Sequence, residues 1–389
     1  MISIGAIFFA VILSVLTSSL QDGVFDNLIK NVVSFYSGYI QIHKEGYWDE
    51  QILDNSFEES AAIEQKILEQ QNVVTIAPRL ESFALVSSGV VTKGCMVTGI
   101  SPERENSITD IQDKLIEGIY LAEDDQNVLL AKGLLDRLNL KLHDTLVVIG
   151  QGYHGATAAG KYVVKGILKF GSPDLNDQAL FMTLSAARQL YSAENMLTSY
   201  VLSLKTTESS ELAATGQNIR TVLGESYEVM TWEEMMPDII QHIETDKASM
   251  YIIQGILYLL ICFGIFGTLL MMMVERRFEM GMLVAIGMKK IKLIQLLLIE
   301  SVLTVLTGCL LGILASVPVV YYLHRYPIRF TGDVARVYEE FGFEAVFPTS
   351  LDGHIFVSQG IIVLVIGLVL SFYPMVKVIQ LNPVTAMKK

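Results

Sequence analysis

A chain of 389 residues that is 51% hydrophobic and only 18% charged, with a mean hydropathy of +0.45, carries more apolar surface than one water-soluble core needs. Its net charge of −13 is uneven: from Asp22 to Lys247 there are 17 Lys+Arg against 33 Asp+Glu, and the remainder has 11 against 8. No concentrated basic patch exists for nucleic-acid phosphates, and three cysteines (Cys95, Cys262 and Cys309) build no disulfide framework.

The first apolar stretch, residues 2–20, meets no ionisable group until Asp22. It lacks the basic start and small-residue cleavage site of a signal peptide, so it is expected to stay as a helix. A bilayer core about 30 Å thick takes roughly 20 apolar residues as a helix, and this gives transmembrane helix 1 at residues 1–21.

Residues 22–249 follow as an outer domain with membrane-proximal stalks. Within it, Tyr39-Ile40-Gln41-Ile42-His43 alternates like a strand. Residues 57–70 are expected to be helical, 83–88 and 94–99 short strands, and 128–138 another helix that ends before a turn at Leu142-His143-Asp144. Residues 146–149 and 162–167 form two strands joined by a glycine-rich excursion, and 180–191 and 213–223 are later helices. The mixture is α+β. A helix over 232–241 leads toward the next span and is either a continuous mechanical stalk or an ordinary membrane-proximal helix.

Transmembrane helix 2 covers 250–274 without a charge, and its Gly255, Gly264 and Gly267 suit close helix contact. Residues 275–292 form a short basic connection. Transmembrane helix 3 covers 293–323, interrupted by Glu300 and carrying Pro318; an outer loop covers 324–354; transmembrane helix 4 covers 355–376, with Pro374 at its exit; and a tail covers 377–389. Glu300 lies seven residues past Leu293, about 10 Å along a helix, where interfacial solvation or pairing with the basic connection outweighs a proton relay. Arg276, Arg277, Lys289, Lys290 and Lys292 in the connection, with Lys377, Lys388 and Lys389 in the tail, put both in the cytoplasm. The large domain is then outside.

Catalytic patterns are missing. Gly155-Ala156-Thr157-Ala158-Ala159-Gly160-Lys161 matches a P-loop until Tyr162 stands where Ser or Thr should bind magnesium. That segment is expected to turn between strands, where a P-loop needs a following helix. His43, His143, His154, His242, His324 and His354 form no close ligand pair, and neither Gly-x-Ser-x-Gly nor Cys-x-x-Cys occurs. Asp124 and Asp125 suit a solvated face.

The connection is the most informative run. Arg276 and Glu279 are spaced to meet on a helix surface, Phe278, Met282 and Ile286 recur every four residues as an apolar ridge, and Gly287 suits a helix end. Such an element either docks on a soluble partner or rests in lipid.

Glu275-Arg276-Arg277-Phe278-Glu279-Met280-Gly281, then Ala285-Ile286-Gly287-Met288-Lys289-Lys290, resembles the FtsX-like, or MacB-like type VII, ABC permease family. The resemblance continues through Leu298-Ile299-Glu300-Ser301, Gly308 to Gly312, Tyr373-Pro374 and Leu381-Asn382-Pro383-Val384-Thr385-Ala386-Met387. Ser37-Gly38-Tyr39-Ile40-Gln41-Ile42-His43 with Gly46-Tyr47 is similar to the lipoprotein-releasing LolC/LolE branch.

The resemblance implies an α-helical membrane protein of the bacterial inner membrane, with four transmembrane helices and a large α+β periplasmic domain between the first and second. It implies a non-catalytic permease subunit with no cofactor of its own, whose energy comes from ATP and Mg2+ in a separate cytoplasmic ABC ATPase dimer. A second permease subunit, identical or related, membrane lipid, and a lipoprotein cargo or periplasmic carrier complete the implied partners. Glu275, Arg276, Arg277, Phe278, Glu279, Gly281, Met282, Ile286, Gly287, Lys289 and Lys290 are the expected ATPase-coupling residues. Lipoprotein release is the leading expectation. The alternatives are FtsX-like signalling to a cell-wall hydrolase, MacB-like export, and a membrane-anchored scaffold or adhesion protein.

Overall fold

The computed structural model describes residues 2–29, 33, 37–335 and 346–379. The residues 381–387 motif and Lys388 and Lys389 lie outside the described residues, as do 336–345 of the outer loop. The chain divides into two compact units, one from 1–27, 241–329 and 346–389, the other from 28–240 and 330–345.

After α1 (Ile2–Ile29), the outer domain starts with β1 (Ile40–Lys44), α2 (Tyr47–Glu50), β2 (Phe57–Glu58) and α3 (Ala61–Leu68). A long hairpin, β3 (Val73–Ser87) and β4 (Thr92–Ile100), is followed by α4 (Pro102–Thr109), β5 (Leu115–Gly118), β6 (Val128–Ala131) and α5 (Lys132–Arg137). Next come β7 (Thr145–Gln151), β8 (Thr157–Leu168), α6 (Pro173–Gln178), β9 (Ala179–Thr183) and α7 (Leu184–Tyr191). The domain closes with β10 (Met196–Leu197), β11 (Ser199–Leu204), α8 (Ser209–Leu223), β12 (Tyr227–Thr231) and α9 (Trp232–Met235).

Ten of these strands form one sheet in the order β12-β1-β11-β3-β4-β9-β6-β8-β5, with β7 pairing β3 and β8. The β4–β9 and β6–β8 pairs are parallel. The α+β expectation is met, with three helices redrawn. Residues 128–131 and 179–183 are strands, not helix starts, and 57–58 form a short strand before α3. The reason is burial: Val128, Leu129, Leu130 and Ala131 are buried to the last residue, as are residues 179–183. A short run that is apolar on both faces suits a central strand, and periodicity cannot separate it from a buried helix.

At the sheet's centre sits a buried ion pair. Arg79 on β3 donates from Nε and Nη2 to Glu105 on α4 at 2.9 and 2.6 Å, and Thr109 donates its hydroxyl to the same carboxylate at 3.0 Å. Beside it, His43 on β1 is fully buried, its Nδ1 2.8 Å from the Thr198 carbonyl and its ring stacked on Tyr47. Burial holds His43 down at about 4, and the nearby Arg79 charge adds to the effect.

The membrane unit contains α10 (Pro237–Glu275), α11 (Arg277–Ala285), α12 (Lys290–Arg325), α13 (Gly353–Leu370) and α14 (Phe372–Ile379). A two-residue ladder pairs β13 (Ile328–Arg329) with β14 (Val346–Phe347) in the connection between α12 and α13. Four helices are long and apolar enough to cross a membrane: Ser3–Asn27, Pro237–Glu275, Lys290–Arg325 and Gly353–Ile379. The chain is a multi-pass inner-membrane protein with its large extracytoplasmic domain between the first and second spans.

Small residues decide which spans touch. A Cβ on Gly308 would lie 2.8 Å from Ile7 Cβ, and one on Gly312 would lie 2.7 Å from Val11 Cβ, so α12 is notched onto α1. Gly360 and Gly367 on α13 receive Ile313 and Val305 of α12 in the same way. The glycines expected to mediate close contact do the opposite: a Cβ on Gly255, Gly264 or Gly267 would meet nothing within 4 Å. The stalk is also redrawn. Met236 leaves the helical region (φ −128°, ψ 61°) between α9 and α10, because Pro237 disfavours helical geometry in the residue before it. From Pro237 to Glu275 the helix is then unbroken.

Candidate functional site

The basic connection folds as a separate short helix because its two ends are built to stop. Arg276 stands at the N-terminal cap of α11 with non-helical backbone. At the other end Gly287 takes φ 107°, its N–H donates to the Val284 carbonyl at 3.1 Å and that of Met288 to Leu283 at 3.0 Å. This is a Schellman closure, which needs a left-handed residue just past the helix. Lys289 then caps α12 in extended geometry.

Alternate faces of α11 have different surroundings. Met280 and Gly281 are buried, and Met280 joins Leu293 and Leu297 of α12 and Val378 of α14 in a small core flanked by Leu283, Val284 and Met288. Burying a side chain of this size contributes about 1.5–3 kcal/mol. On the other face the ridge stands free, with Phe278 54%, Met282 41% and Ile286 76% exposed. Glu275, Arg276, Arg277, Glu279 and Lys289 are exposed around it, and Lys290 is half-buried, with Nζ donating to the Ile379 carbonyl at 2.7 Å.

Arg276 does not pair with Glu279 among the described residues. Its Nη1 reaches Glu300 Oε1 at 2.6 Å, because its place at the cap turns it toward α12. The expected partnership of Glu300 with the basic connection is thereby present, and it offsets the cost of a carboxylate near hydrocarbon. The part that sequence reasoning left out is α14: Val378 and Ile379, in a stretch read as tail, supply a packing surface and a carbonyl to the connection. The available signal was the apolar pair directly after Lys377.

The P-loop look-alike has no anion cradle. Gly160 and Lys161 lie inside β8, paired with Val148 and Val147 of β7, and the strand runs on to Leu168, so no helix opens at Lys161. Among the described residues no group of three or more His, Cys, Asp or Glu side chains could hold a metal ion. Cys95 is a buried thiol whose pKa burial pushes up to about 12, which makes it a poor nucleophile.

Comparison with known proteins finds a match over the membrane region. Residues 251–383 match the family model of the FtsX-like permease C-terminal region. No curated protein matches the chain. Among solved structures, the periplasmic region of MacB from Actinobacillus actinomycetemcomitans is similar at 13% identity, over 57% of this chain and 97% of that one, with a TM-score of 0.38. The extracellular domain of the noncanonic ABC-type transporter YknZ from Gram-positive bacteria is similar at 12% identity, over 50% of this chain and all of that one, with a TM-score of 0.36. The membrane region from residue 251 to 383 is thus similar to the C-terminal region of FtsX-like permeases, and in this chain a large domain lies between the first two spans.

Proposed function

We propose that this chain is the membrane subunit of an ABC transporter and that a separate cytoplasmic ATPase dimer engages it at residues 275–290. The observation that carries the reading is the two-sided build of α11, with Met280 packed inward against α12 and α14 while Phe278, Met282 and Ile286 stand exposed. A ridge of three large apolar side chains ringed by Glu275, Arg276, Arg277, Glu279 and Lys289 has the composition of a protein-docking surface, apolar in the middle and charged at the rim. ATP and Mg2+ belong to the partner.

Closure of the ATPase dimer pushes α11, and the inner core passes the push to α12 and α14. Glu275 is the last residue of α10, so the same push reaches that helix at its cytoplasmic end. The output is mechanical: movement of α10 changes the outer domain, and a lipoprotein or another hydrophobic cargo is released from the membrane toward a periplasmic carrier. A second permease subunit, identical or related, completes the complex. The lipoprotein branch is favoured by the motif at residues 37–47, in which Gly46 takes φ 78° so that Tyr47 can stack on His43.

Replacing Phe278, Met282 and Ile286 together by serine tests the reading in native membranes. The expected result is loss of the co-purifying ATPase with normal membrane insertion. An unchanged complex with cargo-dependent ATP hydrolysis contradicts it. Purification with a cell-wall hydrolase and no cargo response of the ATPase would point to signalling, and a chain isolated with no ATPase would point to a scaffold.

A further inference from the structure

The membrane core is not wholly apolar. Ser14 and Ser18 lie one turn apart on α1, Gln254 and Tyr258 lie one turn apart on α10, and Gln359 lies on α13. Gln254 Nε2 donates to Ser18 Oγ at 2.8 Å. Tyr258 donates its hydroxyl to Gln359 Oε1 at 2.6 Å, and Ser14 donates to the same oxygen. Nearer the outer end, Ser19 Oγ donates to the Ser350 carbonyl at 2.5 Å. Ser14 is five residues deeper than Ser19, about 8 Å at helical rise, so the polar node sits in the outer half of the bundle. Ser14 and Gln359 are buried, and Gln359 Oε1 accepts two hydrogen bonds.

Its position matters because α10 is the least enclosed span. Only 17% of its apolar window is buried, against 33% to 39% for the other three, and its three membrane glycines have no neighbour within 4 Å. Ile261, Ile265 and Leu269 hold its deeper part in the apolar core. Toward the outer end it is held by the hydrogen bonds to Ser18 and Gln359. Hydrocarbon offers no substitute partner when such bonds break, so the contact has two states, made or unmade.

We propose that Gln359 is a polar latch that pins α10 to α1 and α13 in the outer half of the membrane and sets the push at which α10 lets go. Resting on the ATPase-coupling reading above, this makes Gln359, with Ser14 and Tyr258, a positioning residue of the transport cycle. Each interhelical hydrogen bond of this kind shifts an opening equilibrium by about threefold to twentyfold.

The test uses the full chain with its ATPase partner in liposomes, with spin labels at residues 21 and 249 and Cys262 replaced by alanine. Tyr258→Phe keeps the ring and loses one donor, and Gln359→Leu loses the node. Without nucleotide, the long-distance population should rise about threefold to twentyfold in Tyr258→Phe and further in Gln359→Leu. Adding Tyr258→Phe to Gln359→Leu should change nothing more, and ATP hydrolysis should lose its dependence on cargo. Distances unchanged in both single variants overturn the latch, even with ATPase coupling intact. If the variants shift the distances while ATP never moves them in the unmodified chain, the latch stands and the coupling reading fails.

Discussion

The outer domain and the membrane bundle are held together by different means. In the domain, a ten-stranded sheet carries a buried bidentate Arg79–Glu105 pair, and Glu105 also accepts from the Thr109 hydroxyl. In the bundle, α12 is notched onto α1 and α13 through Gly308, Gly312, Gly360 and Gly367, while α10 has none of these notches. The difference teaches that a glycine in a span does not by itself mark a contact: what matters is whether another backbone or side chain occupies the space it leaves.

The strongest way to break the comparison is at the buried pair. Glu105→Ala removes the bidentate partner of the buried Arg79 guanidinium, leaves it only the longer Glu81 contact at 3.5 Å, and should cost about 3–5 kcal/mol, whereas replacing both residues by Met and Leu should recover most of that loss; denaturant unfolding of the full chain in detergent measures both. His43 gives a pH handle on the same centre. Its folded pKa near 4 lies below the ordinary 6.5, so the unfolded chain binds the proton first and stability falls as pH drops from about 6.5 toward 4. The His43 contribution should be full above pH 6.5 and lower by roughly 2–3 kcal/mol at pH 4, a slope that His43→Gln should remove from the melting curves.

In the bundle, Gly308→Val or Gly312→Val should cost about 1–3 kcal/mol by overpacking against α1, read as a lower melting temperature in detergent. Gly264→Val faces open space and should leave it unchanged; an equal loss at both sites would erase the proposed asymmetry. The smallest effect belongs to Gly287→Ala, whose left-handed backbone should cost about 1 kcal/mol, visible as fraying of α11 in amide exchange.

Much of this architecture was legible in the chain. Bilayer thickness selects for long uncharged runs, so four spans and the basic connection could be read from hydropathy and charge alone. Glu300 was also legible, because its depth and the nearby arginines left few partners. The strands at 128–131 and 179–183 were not, since a run buried on both faces loses the alternation that marks a strand. The break at Met236 was signalled by Pro237 and passed over. The direction faced by Gly255, Gly264 and Gly267, and the meeting of Ser14, Tyr258 and Gln359, depend on how distant helices are rotated. Local sequence carries no record of that rotation.

The central claim is that α11 presents its outer ridge to an ATPase, and Ile286, the most exposed member of that ridge at 76%, is the place to test it. A photoreactive amino acid at position 286, illuminated in native membranes, should give one protein adduct whose partner chain carries an ABC ATPase domain, and the adduct should change in yield when ATP is added. Adducts with lipid alone, from a complex that still transports, would show that the ridge lies in the membrane surface and that the drive enters elsewhere.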